Sequence, residues 1–138
     1  MMPLICLYTV PPAAMRYADV GDWHYSHKGL EIRVPHGLSD EETLLVMVHE
    51  LVESFLVRRD GVHEAAVNAF DQAHADADEA GALSAAPYHH AHAAATKVEA
   101  RGGARRAVGD LRTGHRSALR HREGRAPCAG LSQMPALR

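Results

Sequence analysis

No apolar run in this 138-residue chain approaches the ~18 residues that a bilayer-crossing helix needs, so a membrane-spanning helix is excluded. Only two cysteines occur, Cys6 and Cys128, far apart and in different kinds of segment. That rules out a disulfide framework or a cysteine-rich zinc module and makes a reducing cytoplasm the expected setting. Lysine and aromatic residues are both missing after residue 100. The apolar stretch Met1 to Val10 lacks a basic leading region and runs into Pro11-Pro12. It reads as a first strand, not a signal peptide. At this length there is room for one small domain with a single core.

The bland net charge of −2 conceals two unlike halves. Residues 1–100 carry six Lys/Arg against fifteen Asp/Glu, whereas residues 101–138 carry nine Arg against two acids. An acidic front half argues against a nucleic-acid face there, because phosphate binding draws on neutralising cations. Nine of the eleven histidines also lie before residue 100, an excess that suits metal binding and equally suits scattered surface histidines.

Extended chain is expected over the first thirty-five residues. Trp23-His24-Tyr25-Ser26 and Leu30-Glu31-Ile32-Arg33-Val34 are β-prone and alternate, with Lys28-Gly29 as the turn of a hairpin and Pro35 as its end. Ser39-Asp40-Glu41-Glu42 supplies a capping box and three acids for the positive end of a helix. That helix is predicted from about Asp40 to Arg59, closed by Arg58-Arg59 and Gly61. Its core stripe is expected to be Leu44, Val48, Leu51, Val52 and Phe55, with His49 at the border and Glu50 and Glu53 further round, among Val46 and Val57. A helix apolar on both sides in this way is open to being covered on both. A second helix is predicted from Val62 or His63 to about Glu79, stopped by Gly81, and a third from Pro87 to Glu99.

The chemistry gathers at Val48-His49-Glu50-Leu51-Val52-Glu53. In the zinc-hydrolase signature H-E-x-x-H, two histidines one turn apart hold the metal and the glutamate between them takes a proton from bound water. Glu53 stands where the second histidine would be. His49 and Glu53 are therefore candidate metal ligands and Glu50 the candidate catalytic base. For a third ligand the chain offers His92, Asp71 or His74. His92 is preferred because it shares a helical face with Thr96 and Glu99, a carboxylate suited to orienting its imidazole; Asp71 is the reserve. The harder donor set suits zinc first, with manganese or iron as alternatives. The same His/Glu stripe is also what a solvated face or a helix pair looks like, Asp71 can pair with His74, and Trp23 reads as a core anchor.

The block Val46-Met47-Val48-His49-Glu50-Leu51-Val52-Glu53, then Gly61 to Asp71, then Ala86-Pro87-Tyr88-His89-His90-Ala91-His92, resembles small uncharacterised proteins encoded by phages and prophages over about half the chain. A more distant likeness is to minimal zincin-type metallopeptidases of the ImmA/IrrE group. There the resemblance implies a downstream glutamate, echoed here by Glu64 in Glu64-Ala65-Ala66-Val67-Asn68-Ala69-Phe70. Two departures stand out: Glu53 replaces the second histidine, and Glu64 lies close to His49 in sequence.

The expectation is thus an α+β domain over residues 1–100, a β-hairpin on about three helices, followed by a basic tail over residues 101–138. Glycines and arginines without period predict disorder for the tail. It reads either as a weak nucleic-acid arm, though without an aromatic for a base to stack on, or as a segment outside the fold. The function expected is a phage-type metal-binding protein, a divergent HExxE hydrolase. Its rival is a non-enzymatic helical protein whose acidic surface docks a protein or peptide partner. No membrane partner is expected.

Overall fold

The computed structural model describes residues 4–102; the predicted tail lies almost wholly outside them. Strand β1 (Ile5–Val10), strands β2 (Asp22–Ser26) and β3 (Gly29–Pro35), and helices α1 (Asp40–Arg59), α2 (Glu64–Ala73) and α3 (His89–Gly102) form an α+β fold. The sheet order is β1-β3-β2. The β2–β3 pair is the antiparallel hairpin expected, with Trp23 opposite Ile32, and β1 joins β3 in parallel. Gly29 is required at the turn: its φ is +128°, and a Cβ there would lie 2.1 Å from the Leu4 carbonyl oxygen, which accepts the Leu30 N–H at 2.8 Å.

The Ser39 hydroxyl and the Glu42 backbone N–H, with the Glu42 carboxylate returning to the Ser39 N–H, make the predicted capping box at the start of α1. Gly61, at φ +72°, lets the chain turn away after the basic last turn. One face of α1 lies on the sheet and another on α3. Trp23, Leu30, Ile32, Val57, Val67, Ala86, Tyr88 and Ala91 form the main core, and Val20, Val34 and Val46 a smaller one. Buried Ala91 and Ala95 give α3 a flat side that allows close approach to α1. The two helices run antiparallel, since Gly102, Glu99 and His92 meet Leu45, His49 and Glu53 in reverse order.

Three expectations need correction. The inward residues of α1 are Val46, His49, Glu50, Glu53, Ser54 and Val57, while Leu44 and Phe55 are 60% and 58% exposed. α3 covers the polar side of the helix, so the predicted stripe is turned outward at both its ends. Helix α2 stops at Ala73, well short of Glu79, because the chain turns back through a 3₁₀ turn at Ala80–Ala82. Gly81 sits in that turn, against Tyr88 and His92, rather than ending α2. Helix α3 continues to Gly102, past the expected boundary at residue 100. Among the described residues, no helix is long and apolar enough to cross a membrane.

Candidate metal centre

Helix α1 presents His49 and Glu53 one turn apart on its buried side, and α3 brings His92 against them. One donor atom from each of the three lies within 4.8 Å of the others; ligands at ~2.0 to 2.2 Å from a shared ion lie at most ~4.4 Å apart, so a small inward shift of these side chains would let them share one. All three are buried. Glu53 is the centre of the cluster: its Oε2 lies 2.8 Å from His92 Nδ1 and 3.4 Å from His49 Nε2. Its Oε1 accepts the Trp23 indole N–H at 3.0 Å. Burial pushes the Glu53 carboxyl up, but the imidazoles of His49 and His92 outweigh this and hold it well below the usual carboxylate range.

The outer nitrogens of both histidines also meet carboxylates. His49 Nδ1 lies 2.7 Å from Glu99 Oε2, and His92 Nε2 lies 3.4 Å from Glu79 Oε2. This differs from the expected arrangement, in which Glu99 would orient His92. Because α3 runs antiparallel to α1, a glutamate that follows His92 lies toward the N-terminal side of Glu53 on α1, which is where His49 stands. Glu99 Oε1 is buried with no hydrogen-bond partner among the described residues.

A cavity of about 250 Å³ opens beside the cluster. Glu53 and His92 reach its wall together with Glu50, Asp71, Glu79 and Tyr88, and no described lysine or arginine lines it. Glu50 is 5% exposed and lies against Gly21, where a Cβ would come 2.2 Å from Oε1. Asp71, the reserve ligand, shares the cavity without joining the trio. It accepts a hydrogen bond from the Tyr88 hydroxyl. Burial lifts its carboxyl to about 6, with the Tyr88 bond opposing and the Glu53 charge adding. Nor does Asp71 take the alternative of pairing with His74: His74 Nδ1 lies 2.9 Å from the Phe70 carbonyl oxygen, and its ring stacks on Phe70 at 4.0 Å.

Glu64, the echo of a zincin third ligand, is engaged elsewhere. It lies 2.7 Å from His24 Nδ1, accepts the Tyr25 N–H at 3.0 Å, and faces Arg16. Of the neighbouring histidines, His90 is exposed and His89 half-buried, with His89 Nδ1 3.2 Å from the Gly81 carbonyl. Sequence reasoning missed Glu79 and the role of Trp23, whose indole serves the site as well as the core. A tryptophan in the strand over a helix bearing buried acids was the available signal, since a buried indole N–H seeks an acceptor. No protein-family model matches the chain, and neither the curated proteins nor the solved structures give a match.

Proposed function

We propose that this chain is a small phage-type metal-binding protein in which His49, Glu53 and His92 hold one divalent cation, and that it serves as a divergent zincin-like hydrolase with Glu50 as the base. The convergence of three buried donors from two helices carries this reading. Buried ionisable groups are paired or coordinate metals. Here the buried Glu53 and Glu99 carboxylates lie against the His49 and His92 imidazoles, a donor set that suits a dication. Two imidazoles and a carboxylate suit zinc, and manganese or iron as alternatives. Such an ion supplies polarisation of a bound water. The chain's own part is to hold the ion through His49, Glu53 and His92, to offer the Glu50 carboxylate at the cavity wall as a proton acceptor, and to keep lysine and arginine away.

The test is elemental analysis of protein purified without an affinity tag. About one divalent ion per chain is expected, and His49→Ala should lose it, because two remaining ligands rarely hold a metal against water. Metal-free protein whose melting temperature is unmoved by zinc, manganese or iron ends the reading. Bound metal without hydrolysis of any peptide or ester probe keeps the site and discards the enzyme.

A second reading, an interaction protein, is favoured by the exposure of Leu44 and Phe55. Eleven residues apart, they fall on one stripe of α1, and exposed apolar stripes mark contact surfaces. Partner binding lost in Phe55→Ser with metal content unchanged would support it.

A further inference from the structure

Resting on the metal-centre reading, we infer that Glu99 is a positioning residue that selects the nitrogen His49 offers, so that His49 binds the ion through Nε2 and His92 through Nδ1. An ionised carboxylate only accepts hydrogen bonds, so the 2.7 Å contact between Glu99 Oε2 and His49 Nδ1 places the ring proton on Nδ1. In the neutral imidazole the lone pair is then on Nε2, the nitrogen that faces Glu53 at 3.4 Å. His92 is mounted the other way round. Its Nδ1 is the nitrogen 2.8 Å from Glu53 Oε2, so in the unloaded chain it carries a ring proton that the ion would replace, and its Nε2 points outward to Glu79 Oε2 at 3.4 Å, the acceptor for the proton that remains on the ring.

The two rings are fixed by packing as well as by bonding. His49 is 1% exposed and its ring centroid lies 4.9 Å from that of His92. Turning the His49 ring over would carry Nδ1 into the cluster and break the bond to Glu99, leaving that buried carboxylate oxygen without a donor. Such a loss is costly in a buried site. Carboxylates on the outer nitrogen of a metal histidine fix its tautomer and raise its basicity. Glu99 does this from the last turns of α3, contacting the ligand and not the ion's position.

Nuclear magnetic resonance of imidazole nitrogens in the nitrogen-labelled full chain tests this. Before loading, His49 should carry its proton on Nδ1; after loading with isotopically enriched cadmium, scalar coupling should appear at His49 Nε2 and His92 Nδ1. Glu99→Gln, whose amide oxygen still accepts, should keep the tautomer and lose at most about tenfold in cadmium affinity, whereas Glu99→Ala should lose about 10- to 100-fold and show mixed tautomers. Coupling at His49 Nδ1, or wild-type affinity in Glu99→Ala, overturns the assignment while leaving the metal centre standing. Should Glu99→Ala fail to fold, the coupling pattern of the parent chain decides. A parent chain that binds no cadmium, zinc or manganese overturns the metal centre and this assignment with it.

Discussion

At the scale of single residues, Asp71 is the carboxyl placed to sense neutral pH. Its ordinary value of 3.8 is lifted to about 6 by burial, with Glu53 adding and the Tyr88 hydroxyl opposing. The folded state therefore prefers it protonated: its contribution to stability is complete below 3.8 and is lost as pH rises through 6. Asp71→Asn keeps an acceptor for Tyr88 and abolishes that loss. On metal-stripped protein, the variant should gain stability over the parent between pH 4 and 7, by on the order of 1 kcal/mol after discounting for partial exposure. Parallel denaturation curves for the two proteins across that range would show that Asp71 titrates normally. His49, Glu53 and His92 were legible as candidates because the i, i+4 spacing on one helix and the histidine-rich start of another are local facts. The partner of His49 was not. Glu99 could be assigned to His49 rather than His92 only once α3 was known to run antiparallel to α1.

Among the elements, α1 carries the clearest lesson. Its sequence holds two apolar sectors, Leu44 with Phe55 and Val46 with Val57, and periodicity alone favours the more populous one. The buried choice is set by α3 and the sheet, which are not written in α1 itself. Ser54, which caps nothing and is fully buried, donates to the Leu51 carbonyl at 3.0 Å within the helix, so it needs no outside partner to sit inward. Two substitutions of each kind separate the sectors. Val46→Ala and Val57→Ala should each cost about 2 kcal/mol in urea unfolding, through lost burial and residual cavity. Leu44→Ser and Phe55→Ser should fall within about 0.5 kcal/mol of the parent. The reverse ranking would mean that the predicted stripe, not the observed one, faces the core. The hairpin, the capping box and the span of α1 were all legible, because alternation, the Ser39–Glu42 pair and Gly61 act locally. The early end of α2 was not, since no glycine or proline marks Ala73; a distant need, to return Gly81 to Tyr88 and His92, ends it.

For the molecule as a whole, the two buried clusters draw on residues 20–91, and Glu99 extends the polar centre to the last turns of α3. Removing residues 103–138, which begins beyond Gly102, should therefore shift the melting temperature by no more than a degree or two, since little apolar surface is at stake in a segment of that composition. A truncation at residue 96 should be far worse, and should weaken metal binding at least as much as Glu99→Ala, because it takes away Glu99 together with the last turns of α3. A large fall in melting temperature on the first truncation would show that the arginine-rich segment contributes to the core. The charge reversal at residue 100 was legible from sequence alone, for a change in composition does not depend on tertiary contacts; whether it marks the edge of the fold is what the two truncations decide.

Gly81 touches no proposed ion, yet a methyl group there would stand 2.7 Å from Cγ and Nδ1 of His92 and from the Tyr88 ring. His92 and Tyr88 are each held by a carboxylate, Glu53 and Asp71, so the missing side chain is part of what lets His92 stand where the proposed site needs it. Alanine scanning guided by ligand chemistry would pass this position by. Gly81→Ala, a change that removes no donor atom, should nonetheless release the metal while the far-ultraviolet circular dichroism stays that of the parent. The capacity to bind would then depend on an empty volume the size of one methyl group, and a search for the site's essential residues would have to include the residue with no side chain.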